Sequence, residues 1–197
     1  MTVLTTDLRN FTHHSNHRDN ESAEDFRARF QVLCNIVRDF HAQTITIARA
    51  QDPGKEATVL STGDGLIIGF QTDDHAVAAY RTAMELRANY VGFFDEAYRQ
   101  MGENRRSYAL DYGIGIHTGM VEVRQYPSYH VPNAVETLLL GDALNISTRL
   151  ESLTKDHPGC DIMLSEDSVR RLVESLGPTV KDRLIDYQIH SIRGYRP

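Results

Sequence analysis

Two carboxylates are placed where they could share an ion. Asp7 follows the β-branched run 2–6, and Asp64 sits in Gly63-Asp64-Gly65, between the strand-like runs 58–62 and 66–70. An Asp-Gly pair between two such runs signals a hairpin. If the two strands are neighbours, both carboxylates converge at one edge of a sheet. Hard divalent cations take such oxygens, and Mg²⁺ commonly uses one or two carboxylates together with substrate phosphate. The plain alternative is that Asp7 ends a strand and Asp64-Gly65 is a type I′ turn. Asn145 and Arg149 are four apart and share a helix face. An Arg fork spreads phosphoryl charge and an Asn amide orients a hydroxyl or ring oxygen. Here the alternative is a solvated Arg beside a helix-start Asn.

The elements that must position these groups follow from periodicity. Phe26, Phe30, Leu33, Val37 and Phe40 keep a helical spacing, with Cys34 flanking that face. A second helix spans 75–100, carrying Val77, Tyr80, Met84, Val91, Phe94 and Tyr98, with Gly102 as its stop. Residues 109–117 and 120–123 read as a strand pair around Thr118-Gly119, and 125–136 as a loop without period. A helix spans 143–154 and a short strand 161–164. Ser165 caps a helix ended by Gly177-Pro178, and a last strand covers 185–192. The order β-α-β-β-α-β-β-α-β-α-β predicts one α+β domain over 1–197.

Composition narrows the class. The chain has 197 residues, 41% hydrophobic and 24% charged, as expected of one folded domain with its own core. Its 21 basic against 27 acidic side chains give a net charge of −6, which argues against binding along nucleic-acid backbone. A nucleotide remains compatible, because a few local cations or a metal offset the global charge. Two cysteines make no disulfide framework. No apolar stretch is long enough for a membrane span, and the first residues lack the pattern of a secretory signal, so a cytoplasmic setting is expected. His13, His14 and His17 are expected to be a solvated patch, because no carboxylate or cysteine spacing supports a zinc site. His117 is expected to be structural.

Four segments together resemble the class III nucleotidyl cyclases. Thr5-Thr6-Asp7-Leu8-Arg9-Asn10-Phe11-Thr12 resembles their first metal motif, and Ser61-Thr62-Gly63-Asp64-Gly65-Leu66-Ile67-Ile68-Gly69-Phe70 their hairpin with the second metal aspartate. Tyr112-Gly113-Ile114-Gly115-Ile116-His117-Thr118-Gly119 is similar to the following strand and turn. The segment from Leu140 through Asn145 and Arg149 to Ser152 resembles the helix that supplies the transition-state Asn and Arg. The resemblance implies the cyclase palm, a ferredoxin-like α+β fold with helices flanking a central sheet. It also implies a homodimer with two sites at its interface. Two divalent ions, Mn²⁺ or Mg²⁺, would be held by Asp7, Asp64 and the Leu8 carbonyl. The amides around Asn10, Phe11 and Thr12 would face the phosphates. Asn145 would orient the ribose and Arg149 stabilise charge on phosphorus. Arg193 would stand for a lysine that contacts the polyphosphate.

Two positions depart from that pattern. In the purine cyclases, polar base readers lie three residues before the hairpin Gly-Asp and three before the Gly of the helix motif. Here those positions are Leu60 and Leu138. Two leucines offer no hydrogen bonds to a purine, and sites that read by hydrogen bonds discriminate strongly. A narrowed pocket suits a one-ring base. The family includes small stand-alone pyrimidine cyclases of bacterial anti-phage systems, and a lone catalytic domain resembles those. The expected reaction is therefore a nucleoside triphosphate giving 3′,5′-cyclic nucleotide and pyrophosphate, with UTP favoured over CTP and a separate effector reading the product. Thr58, Thr62 and Thr137 are possible base contacts. An adenylate or guanylate cyclase with other base readers, and a catalytically silent nucleotide-binding regulator, are the alternatives.

Overall fold

Thr2–Arg9 forms the central strand, β1, of a five-stranded sheet. The structure, a computed structural model, describes residues 1–53, 57–101, 110–128, 130 and 133–184. After β1 come a single helical turn α1 (Phe11–Ser15), the long helix α2 (Ala23–Gln51), and the hairpin β2 (Thr58–Ser61) and β3 (Leu66–Phe70). Helix α3 (His75–Met101) leads to β4 (Asp111–Thr118). The hairpin β5 (Glu122–Pro127) and β6 (Val135–Leu140) follows, then α4 (Asp142–Leu153), β7 (Ile162–Leu164) and α5 (Glu166–Leu176). The main sheet runs β2-β3-β1-β4-β7; β1 is antiparallel to β3 and β4, and β7 is parallel to β4. From β1 to β4 the chain is a β-α-β-β-α-β unit in the ferredoxin-like order, as expected from the sequence.

The two sides of the sheet are covered for different reasons. On β4, Tyr112, Ile114 and Ile116 alternate with Gly113 and Gly115. The large residues join the main core with Leu4, Leu8, Ile68 and Phe70 of the sheet, Leu33, Ile36 and Phe40 of α2, and Leu86, Tyr90 and Phe94 of α3. The glycines let α4 approach from the other side: a Cβ on Gly115 would collide with the Ser147 carbonyl and the Glu151 amide. Thr5 and Ser147 complete that contact with a buried hydroxyl pair at 2.8 Å. Gly115→Ala should therefore destabilise the fold by about 2 kcal/mol or more, because backbone must move rather than a side chain. Urea unfolding reads this, and an unchanged midpoint would contradict the β4–α4 packing.

Helix ends follow local chemistry. Ser22 caps α2 by accepting from the Asp25 amide at 3.1 Å, and Ser165 caps α5 by accepting from Ser168, each cap worth about 1 kcal/mol. Gly177, at φ 86°, ends α5 before Pro178 as expected.

Several boundaries differ from the sequence reading. β1 runs on to Arg9, so Asp7 lies within a central strand rather than at its break. β4 carries the strand past the β-branched run, with Asp7, Leu8 and Arg9 opposite Gly113, Tyr112 and Asp111, whereas the pairing with β3 ends at Thr6. Residues 120–123 do not pair with β4. They enter β5, which pairs with β6, and the stretch read as a loop over 125–136 contains the ends of both strands. One face of that hairpin mixes Glu122, Arg124 and Glu136 with Tyr126, Leu138 and Leu140, and the other mixes Val123 and Leu139 with Gln125 and Thr137, which hides the period of two. α2 continues well past Phe40, and its buried face is Leu33, Ile36, Phe40, Thr44 and Ile47, leaving Phe30 and Cys34 exposed. On α3 the buried stripe runs through Ala79, Ala83, Leu86 and Tyr90, while Met84 and Val91 are exposed. Small alanines, which carry little hydropathy, mark the closest approach to the sheet. The expected stop at Gly102 and the strand over 185–192 lie outside the described residues. Among the described residues no helix is long and apolar enough to cross a membrane.

Candidate active site

The strand register that builds the sheet also brings Asp7 to Asp64. Thr6 pairs with Leu66, so the next step along β1 carries Asp7 level with Gly65, at the point where the hairpin delivers Asp64. On its other side Asp7 pairs with Gly113. A Cβ on Gly65 would lie 2.7 Å from Asp7 Oδ1 and 2.7 Å from the Thr6 carbonyl, so the carboxylate occupies space that only glycine leaves. The turn is closed by Thr62 N–H donating to the Gly65 carbonyl at 3.0 Å. Its left-handed residue is Gly63, φ 96°, and neither Asp64 nor Gly65 has positive φ, so the Asp-Gly pair does not form a type I′ turn.

Burial, and then the negative charge of Asp64, hold the Asp7 carboxyl above its ordinary range; Lys155 and a backbone hydrogen bond at Leu8 pull the other way. An Asp7 carboxyl raised in part by a neighbouring carboxylate marks a site short of positive charge. With the Leu8 carbonyl next to Asp7, the donor set is all oxygen and fits a hard divalent cation. Among the described residues no group of three His, Cys, Asp or Glu side chains closes around a metal, so an ion here would take its remaining ligands from substrate oxygens and water.

The chain leaves the site through a sharp turn. Asn10 is left-handed, φ 63°, and its carbonyl accepts from the amides of His13 at 3.1 Å and His14 at 3.3 Å to begin α1. Phe11 packs against the main core and Thr12 is exposed. The first amides of a helix have no partner within it, and here they lie next to the strand that carries Asp7. His14 is buried rather than solvated, with only 2% of its surface exposed. His117 is structural as expected: it is buried and its Nδ1 is 2.7 Å from Ser165 Oγ.

α4 divides its residues cleanly. Ala143, Ile146, Ser147, Leu150 and Glu151 are buried against the sheet, whereas Asn145 and Arg149 are exposed on the opposite side. Within one chain, therefore, neither side chain of this pair meets Asp7 or Asp64 by a hydrogen bond or ion pair among the described residues. Leu60 is half-buried on β2, opposite Ile67, and Leu138 is 38% exposed on β6, opposite Arg124. They lie on different sheets. The Thr58 hydroxyl accepts from Gln71 at 3.0 Å, and the Thr62 hydroxyl lies against Gly65. Arg193 lies outside the described residues.

No protein-family model matches the chain. It is 29% identical over 189 residues to an adenylate cyclase of Anabaena cylindrica, a match that covers 96% of this chain and 34% of that protein. The chain thus spans about a third of that relative's length. Among solved structures it is similar to the adenylyl cyclase CyaB from P. aeruginosa, with a TM-score of 0.64, 20% identity, and 88% of this chain and 80% of that one covered. It is also similar to the guanylate cyclase domain of RhGC from Catenaria anguillulae in complex with GTP. That TM-score is 0.58 at 20% identity, over 87% of this chain and 80% of that one.

The chain has the fold of the class III nucleotidyl cyclase catalytic domains. In this cyclase fold, the structure brings together Asp7, Asp64, Leu8 and the Asn10–Thr12 turn, and it leaves Asn145 and Arg149 on an outward face. Sequence reasoning missed three further groups beside the aspartates. Lys155 Nζ is 3.8 Å from Asp7 Oδ2 and 3.8 Å from Glu151 Oε1. Arg9 ties the end of β1 to its surroundings through Asp111 at 3.2 Å and the Cys160 carbonyl at 3.4 Å. The one available signal was Gly113: a glycine in a strand marks a close approach, here by Glu151 and Thr154, each 2.5 Å from where its Cβ would be.

Proposed function

We propose that this chain is a nucleotidyl cyclase, converting a nucleoside triphosphate to a 3′,5′-cyclic nucleotide and pyrophosphate in a homodimer with two composite sites. The observation that carries the reading is the convergence of Asp7 and Asp64 at the Gly65 cradle, beside the Asn10 turn. Two divalent ions, when bound, would activate the 3′-hydroxyl and offset charge on the phosphates. Asp7, Asp64 and the Leu8 carbonyl would hold them. The amides of Phe11 and Thr12 would face the phosphate oxygens. The bond from the 3′-oxygen to the α-phosphorus forms as the bond to the pyrophosphate oxygen breaks, and the hydroxyl proton passes to water. Asn145 would hold the ribose in line, and Arg149 would stabilise charge on the transferred phosphorus. Arg193 would contact the polyphosphate.

A dimer suits the exposed position of Asn145 and Arg149, which must be supplied to the aspartates of another chain. It also suits the exposed apolar residues of the β5–β6 hairpin and the turn before it: Met120 is 85% exposed, and Leu138 and Leu140, two apart on β6, are 38% and 47% exposed. Nucleic acid and membrane have no part in this reading. A separate effector would read the product, and the anti-phage role and cytoplasmic setting rest on the resemblance to stand-alone pyrimidine cyclases.

Leu60 and Leu138 favour a pyrimidine, UTP before CTP. A second reading, a purine cyclase, is favoured by the adenylate and guanylate cyclases to which the chain is similar. Turnover of all four triphosphates with Mn²⁺ separates the two. The expected result is a clear preference for a pyrimidine, reduced in Leu60→Lys/Leu138→Asp. ATP or GTP as best substrate would overturn the base assignment, and no turnover of any would overturn the enzyme.

A further inference from the structure

Glu151 is an unusual residue to find beneath the candidate metal site. Its side chain is 3% exposed, and its Oε1 accepts no hydrogen bond. It lies against Gly113, the residue paired with Asp7 across the β1–β4 ladder. Among the described residues its other oxygen accepts only from Ser152 Oγ, at 3.3 Å. A buried carboxylate with so little hydrogen bonding is costly unless its charge is used. Among the described residues its ion-pair partner is Lys155, one helical turn further on, whose ammonium stands 3.8 Å from both Glu151 and Asp7, and Arg9 acts on Glu151 more weakly.

Resting on the metal-site reading above, we propose that Lys155 is the resident counter-cation of Asp7, held there by the buried Glu151, and that this pair sets how strongly the two aspartates attract a divalent cation. Lys155 opposes the incoming ion by like charge and steadies the Asp7 carboxylate through Oδ2, while Oδ1 rests in the Gly65 cradle. Glu151 acts from below the strand without touching the ion. Both are positioning residues, and their effects on ion affinity have opposite signs.

Mn²⁺ binding without nucleotide, followed by loss of the free-ion paramagnetic resonance signal, tests this without turnover. Wild type should bind and Asp64→Ala should bind much more weakly. Lys155→Met should tighten binding by about two- to fivefold, the range for a half-exposed ion pair. Lys155→Arg should stay close to wild type. Glu151→Gln should weaken binding by on the order of fivefold, since a buried charge is less screened, with no loss of melting temperature in EDTA. If wild type binds and Asp64→Ala does not, yet Lys155→Met and Glu151→Gln shift affinity the same way or not at all, the pair is only packing. If Glu151→Gln does not fold, Lys155→Met against Lys155→Arg decides alone. If wild type takes up no Mn²⁺, or Asp64→Ala binds as well as wild type, the metal-site reading itself fails and this inference with it.

Discussion

Asp64→Ala should lower turnover by on the order of 10²-fold or more, because an oxygen ligand placed at developing charge has no substitute nearby. Asp7→Ala should do the same. The fold should survive the first change: Asp64 is half-exposed in the hairpin turn, and its charge opposes ionisation of Asp7, so removing it relieves a repulsion. Melting in EDTA should therefore be at least as high as in wild type. Asp64→Asn, which keeps the shape but loses the charge, should be nearly as inactive. Turnover near wild type in both alanine variants, with the protein folded, would remove the two aspartates from the reaction. The test uses whichever triphosphate the wild type turns over best, so it does not depend on the base assignment.

The second large effect concerns two chains together. Arg149→Ala should be nearly inactive alone, as should Asp64→Ala. The two residues lie on different elements, and Arg149 is exposed on the face of α4 turned away from its own sheet. In a symmetric dimer with composite sites, mixing the two variants and allowing subunits to exchange should make about half the dimers mixed. Each mixed dimer carries one doubly damaged site and one intact site. About a quarter of wild-type activity should return if the sites act independently. Activity should also fall on dilution, as subunits separate. Exchange demonstrated by mass without return of activity would mean that the two aspartates, Asn145 and Arg149 all belong to one chain's site, or to no site at all.

These two experiments address different parts of the site because the fold exposes them differently. The aspartates are joined within the chain by strand register, whereas Asn145 and Arg149 share only a helix face that points outward. A failure of the mixing experiment would leave the Asp64 result standing, and the reverse also holds.

The sequence by itself determined much of this arrangement. The Gly63-Asp64-Gly65 turn between two apolar runs placed Asp64 on a hairpin, because alternating strands joined by a short glycine-containing turn have few other options. The spacing of Asn145 and Arg149 placed both on one face of α4, since residues four apart are neighbours on any helix. Ser165 and Gly177 marked the ends of α5 through local capping. Tertiary structure decided the rest. Asp7 continues a central strand because β4 goes on pairing with it after the β3 ladder ends at Thr6, and no local signal reports a partner so distant in sequence. The hairpin of β5 and β6 forms from segments whose own periodicity is weak, because pairing satisfies their backbones. The burial of Glu151 and the approach of Lys155 to Asp7 required β1, β4 and α4 to meet at Gly113. That meeting depends on long-range packing, which residue types and spacing along one chain do not encode in a readable form.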